Sequence, residues 1–87
     1  MNLTIKTFTL CDNSRGGETD FEVVLVKDDD GVHYIVKGNH HEGSYVVSGY
    51  YDGKNLTNPY YEGEENEVWY SQYIYHMNKL CSELLRE

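Results

Sequence analysis

Apolar and polar residues alternate most regularly in FEVVLVKDDDGVHYIVK, residues 21–37. Two runs rich in Val, Ile, Phe and Tyr flank an Asp-Gly pair, the composition of two strands joined by a tight turn. Glycine's tolerance of positive φ suits a two-residue type I′ connection at Asp30 and Gly31. Counting outward from that turn pairs Asp29 with Val32, Lys27 with Tyr34 and Leu25 with Val36. One face of the hairpin then carries Phe21, Val23, Leu25, Val32, Tyr34 and Val36, and this is the core side. The other face carries Glu22, Val24, Val26, Asp28, His33, Ile35 and Lys37, so it is mixed rather than polar. It also sets His33 opposite Asp28, where an ion pair forms at lowered pH.

The same reading extends to both sides of the hairpin. LTIKTFTL, residues 3–10, reads as a first strand whose apolar parity shifts between Ile5 and Phe8, which predicts a bulge near Thr7 or an early strand end. CDNSRGGETD follows as a loop broken at Gly16 and Gly17; no lysine or helix start follows those glycines, so it is not a phosphate cradle. SYVVSGYY reads as a fourth strand, and DGKNLTNPYYEGEE as a long connection without structure of its own, a type that often carries function. From about Asn66, a good N-cap, the period becomes 3.6. Tyr70, Tyr73, Ile74, Met77, Cys81 and Leu84 form one stripe with Leu80 at its margin, on a helix of roughly five turns. The expected fold is α+β: a four-stranded, meander-like antiparallel sheet with one long C-terminal helix packed on a face, in a single domain spanning residues 1–87.

Composition narrows the function. A chain of 87 residues buries only roughly 60–65% of its unfolded surface, so its core is thin. Fifteen Asp and Glu against seven Lys and Arg give a net charge of −8, spread along the chain. Direct nucleic-acid binding, which needs a basic face, is not expected. Nine tyrosines and an aromatic content of 14% separate the chain from disordered acidic sequences. The N-terminus has no signal-like apolar run and no segment has the length of a membrane span, so a cytoplasmic location is expected. Cys11 and Cys81 are too few and too far apart for a metal knuckle or redox pair and read as small buried apolar residues. A disulfide between them stays open, although a reducing cytoplasm argues against it.

No local nucleophile motif is present, and a thin-cored domain leaves little room for a substrate cleft, so the chain does not read as an enzyme. Of His33, His40, His41 and His76, the only cluster is HHE at 40–42. Adjacent residues on an extended segment point to opposite sides, so neither a metal site nor a cofactor is expected. Tyr34, Tyr70 and Tyr73 fall at core positions. Tyr50, Tyr51, Tyr60, Tyr61 and Tyr75 are harder to bury, and exposed tyrosine is a frequent interface residue. The acids are more telling. Glu62, Glu64, Glu65 and Glu67 precede the helix, whose dipole accounts for one or two of them at about 0.3–1 kcal/mol each. At the hairpin tip, Asp28 and Asp29 exceed what an Asp30-Gly31 turn requires. A surplus of this kind suits a surface that occupies lysine and arginine sites on a partner. The expected partner-binding set is Asp28, Asp29, Asp30, Tyr61, Glu62, Glu64, Glu65 and Glu67.

VVLVKDDDGVHYIVK is similar to the β-hairpin of a small phage-encoded anti-CRISPR family that blocks a type II-A Cas nuclease. NPYYEGEENEVWY resembles the acid- and aromatic-rich entry to the helical part of that family. The two segments cover about a third of the chain. The resemblance implies a DNA mimic whose carboxylates fill the pocket in which arginines read guanines of the recognition duplex. Carried over, it assigns that role to Asp29 and Asp30 at the tip and to Glu64, Glu65 and Glu67 before the helix. The chain departs from the family in opening with a strand rather than a helix and in having a strand at 44–51. The expected function is a non-enzymatic, phage-encoded inhibitor in the bacterial cytoplasm that binds a basic nucleic-acid-handling protein, such as a Cas effector, by charge mimicry. Two alternatives stand beside it: an adaptor or immunity-type protein using an exposed tyrosine surface, and a domain that self-associates through Val24, Val26 and Ile35.

Overall fold

The computed structural model describes residues 3–13, 18–40, 43–63 and 67–87. Along them run β1 (Thr4–Asp12), β2 (Thr19–Lys27), β3 (Val32–His40), β4 (Gly43–Tyr51), β5 (Leu56–Gly63) and α1 (Glu67–Leu85). The strands lie in one antiparallel sheet in chain order, a meander with β1 and β5 at its edges. The helix crosses one face over β3 and reaches β2 and β5, which makes the fold α+β. Among the described residues, no helix is long and apolar enough to cross a membrane.

Alternation builds the core. Phe21, Val23 and Leu25 of β2, Val32, Tyr34 and Val36 of β3, and Tyr45, Val47 and Tyr51 of β4 are buried beneath Tyr73, Met77, Cys81 and Leu84 of the helix. These four helical positions recur every three or four residues, so they form one stripe along α1. At the centre the hydroxyls of Tyr34 and Tyr73 hydrogen-bond to each other. The last turn of α1 carries no basic residue. Lys27, at the end of β2, takes that role: its Nζ donates to the Leu84 carbonyl at 3.2 Å and the Glu87 carbonyl at 2.9 Å. A cation there complements the negative end of the helix dipole.

Three expectations need correction. In the hairpin, Lys27 pairs with Val32, Leu25 with Tyr34 and Val23 with Val36, so the connection is four residues, 28–31, rather than two. Asp28 selects the longer turn, because its Oδ1 accepts hydrogen bonds from the amides of Asp30 at 2.8 Å and Gly31 at 2.9 Å. A slip of two residues leaves every side chain on its face, so the core side is as expected. Gly31 is outside the left-handed region and serves a different need. A methyl group at this position would run into the Tyr51 carbonyl and stand 2.6 Å from the Tyr50 hydroxyl.

The second correction concerns β1, which pairs without a bulge from Thr4 opposite Lys27 to Asp12 opposite Thr19. The apparent parity shift arises because Lys6 faces the helix side, where Nζ lies 2.7 Å from Glu87 Oε1, while Ile5 points outward and is 65% exposed. Unbroken parity also turns Cys11 outward. Only Cys81 is buried, and both thiols are free.

The third is a fifth strand where an unstructured connection was expected. Residues 56–63 pair with β4, with a register shift between Ser48 and Tyr50. That irregularity and Pro59, which has no N–H for a ladder, hide the strand's alternation. The added strand explains why Tyr51 is buried and Tyr61 half-buried.

Candidate functional site

The turn at 28–31 and the turn at 52–55 lie at the same end of the sheet, two strands apart and so separated by about 10 Å. They are built alike. Asp52 Oδ1 accepts from the amides of Lys54 at 2.8 Å and Asn55 at 2.9 Å, as Asp28 does in its own turn. These turns bring Asp28, Asp29, Asp30 and Asp52 together, with Lys54 the one cation among their eight residues.

The four aspartates divide by role. Backbone N–H groups hold the carboxyls of Asp28 and Asp52 below the ordinary value of 3.8. A carboxyl depressed in the fold contributes stability that is present above its unfolded value and is lost as pH falls through its folded value. The protein is therefore expected to lose stability below about pH 4. In an Asp28→Asn, Asp52→Asn variant, thermal melts should change less across that range; an unchanged acid limb would contradict the role of these carboxylates. Asp29 and Asp30 are exposed, and among the described residues their carboxylates enter no hydrogen bond or ion pair.

Beside the turns stand two rings. His33 Nε2 is 3.0 Å from Asp28 Oδ2, an ion pair when the imidazole is protonated, and its ring lies 4.7 Å from that of Tyr50. The His33 contact with Asp28 was legible in the sequence, although the pairing that brings it about differs. Tyr50 is half-buried, and desolvation followed by the fields of Asp28, Asp30 and Asp52 pushes its phenol above the ordinary 10.0. Three carboxylates thus act on one point.

Glu62 is elsewhere. It pairs with Val46, which is level with Lys37 and Glu22, and Glu22 lies six residues up the sheet from Asp28. That separation is about 20 Å, more than two screening lengths of about 8 Å at physiological salt. Glu62 and the hairpin tip are therefore on separate surfaces. Glu64, Glu65 and the expected cap Asn66 lie outside the described residues, as do the side chains of Glu67 and Tyr70. Tyr61 faces the helix, its ring 6.3 Å from that of Tyr73, whereas Tyr60 points outward and is 64% exposed.

No family model, no curated protein and no solved structure matches this chain.

The face of the sheet away from α1 carries an apolar group that begins beside the acid end. Val24 pairs with Ile35, Ile5 pairs with Val26, and Ile5 and Ile35 are well exposed. A shallow recess of about 380 Å³ runs from His33 and Tyr50 to Ile35 and Tyr60. A second, more polar recess of about 470 Å³ lies between the far end of β1 and α1. There His76 Nε2 is 2.7 Å from Asp12 Oδ2, and Gln72 Nε2 donates to the Asp12 carbonyl at 3.5 Å. No sequence signal joins Asp12 to His76, because they are 64 positions apart.

On the outward side of the same strand end, Cys11, Glu18 and Asp20 bring one donor atom each within 4.8 Å of the others. Desolvation, with hydrogen bonding to Asp20 and the charge of Glu18, pushes the Cys11 thiol up to about 11. With no metal bound, it is therefore a thiol at neutral pH.

Proposed function

We propose that this protein is a non-enzymatic inhibitor that inserts its acid-tipped sheet end into a basic, nucleic-acid-reading site on a partner; the hairpin's resemblance to that of an anti-CRISPR family implies a CRISPR–Cas effector in a bacterial cytoplasm as that partner. One observation carries the reading: the carboxylates of Asp29 and Asp30 are exposed and take no part in the hydrogen bonding that closes their turn, to which Asp30 contributes only its backbone amide. Asp28 alone supplies the turn's side-chain acceptor. The two remaining carboxylates raise local repulsion with no structural return, which suits a site that meets arginines or lysines.

Charge density supports a local plug rather than mimicry of a whole duplex. Duplex DNA carries one charge per ~1.7 Å, so a stretch as long as the molecule's 40 Å axis would carry about 24, three times the net −8 here. Two adjacent aspartates are enough to engage one or two guanidinium groups, and the separation from Glu62 restricts the contact to one end.

The experiment is capture from a bacterial lysate on immobilised protein, followed by a titration of affinity against salt with the captured partner. Affinity should fall at least tenfold between about 0.1 and 0.5 M salt, where the screening length drops from about 10 Å to under 5 Å. An affinity that barely moves would instead favour a second reading, an adaptor that binds through the apolar outer face. Tyr60, Ile35 and Ile5, each more than half exposed, support that alternative.

A further inference from the structure

The two edges of the sheet are protected unequally. β5 contains Pro59 and sits behind a break in register, two devices that discourage another strand from adding to an edge. β1 has neither. Its nine residues contain no proline or glycine and pair with β2 without interruption, so its outer edge presents a straight row of backbone donors and acceptors.

Charge and burial set β1 apart as well. From Leu3 to Cys11 there is no carboxylate and one lysine, in a chain of net charge −8. Two contacts tie β1 to the helical segment, Lys6 with Glu87 just past the end of α1 and Asp12 with His76 at mid-helix. Between those ties Phe8 and Leu10 pack on the core yet stay half-buried. The inner surface of this strand is left partly uncovered where its edge is open.

We infer that the occupant of this edge is a second copy of the chain, with β1 pairing antiparallel to its counterpart to form one continuous ten-stranded sheet. A nine-residue antiparallel ladder supplies about nine hydrogen bonds, close to the number a typical interface carries. The two-fold sets Phe8 and Leu10 of both copies beside one another and completes their burial. Neutrality at the seam lets two acidic chains approach, whereas the hairpin ends would repel each other. The pairing closes on itself, because the edges left outside are the two β5 strands with Pro59, so the product is a dimer and not a fibre. Residual repulsion between the two copies makes added salt favour the dimer, the opposite of its effect on a basic partner.

Sedimentation equilibrium from about 1 μM to 1 mM, at about 0.15 and 0.5 M salt, tests this directly. The expected result is a shift to twice the 10.1 kDa chain mass, at lower concentration in the higher salt. Thr7→Lys with Thr9→Lys puts like charges at the seam at two exposed positions, and should weaken association at least about tenfold with an unchanged far-UV spectrum. Ile35→Lys, on the outer face, should leave association as it is. At dimer concentrations, hydrogen exchange should also slow at those β1 amides that point away from β2. A monomer throughout, or any other pattern among the variants, overturns the edge dimer; loss in Ile35→Lys alone would place self-association on the Val24 and Ile35 face.

Discussion

Replacing Asp29 and Asp30 by lysine is expected to weaken binding of the captured partner by about a hundredfold near physiological salt, close to 2.7 kcal/mol. The size follows from two reversed charges, each facing a cation across a partly desolvated contact. The fold should survive, because the Asp28 carboxylate and the backbone close the turn, and the backbone amide of residue 30 is retained. A melting temperature within a few degrees of the parent would verify that. Glu62→Lys, which reverses one charge rather than two, is the control at the other end of the sheet, about 20 Å away, and should change affinity by less than about threefold. An equal loss per reversed charge, about tenfold for Glu62→Lys against about a hundredfold for the double variant, would mean that overall charge, not the tip, drives binding.

Gly31→Ala is expected to destabilise the protein by about 3 kcal/mol, at the upper end of the range for overpacking, and to lower the melting temperature by roughly 12–20 °C. The obstacle makes the effect large. A new Cβ would meet the Tyr51 carbonyl, a backbone atom fixed in the β3 and β4 ladder, and the Tyr50 ring, which His33 flanks. Relieving the clash requires moving β4 away from the turn, which strains the pairing of Val32 with Tyr51 at the edge of the core. Asp29→Ala, in the same turn but exposed, should stay within about 0.5 kcal/mol of the parent. Thermal unfolding followed by circular dichroism distinguishes the two; a Gly31→Ala melt within a few degrees of the parent would show that the turn has room to give.

Much of the fold could be read in the sequence because alternation and the 3.6-residue period each mark one buried face. Phe21, Val23 and Leu25 on β2 and Tyr73, Met77 and Cys81 on α1 are core residues for that reason. The misreadings share a cause: a single side chain or backbone feature overrode the local pattern. Asp28 made a four-residue turn where Asp-Gly suggested two. Lys6 faced inward to reach Glu87 and so looked like a break in β1. Pro59 and the register shift made β5 look like a connection.

The candidate site was half legible. Surplus acid at the hairpin tip was visible, and so was the His33 contact with Asp28. The contribution of Asp52, which joins the group because β5 exists, was not. The reading of the glutamates as part of the same surface did not anticipate that Glu62 lies at the other end of the sheet. The recess around Asp12 and His76 depends on contacts across most of the chain, which no local pattern encodes.

Competition between this protein and nucleic acid on the captured partner tests the proposed mechanism most directly. A fluorescently labelled duplex bound to the partner is titrated with the parent protein and with the Asp29→Lys, Asp30→Lys variant. Charge mimicry at the hairpin tip predicts that the parent displaces the duplex and that the variant needs about a hundredfold more protein to do so. Displacement by the variant at parent concentrations, or a ternary complex in which partner, duplex and protein remain together, would contradict it.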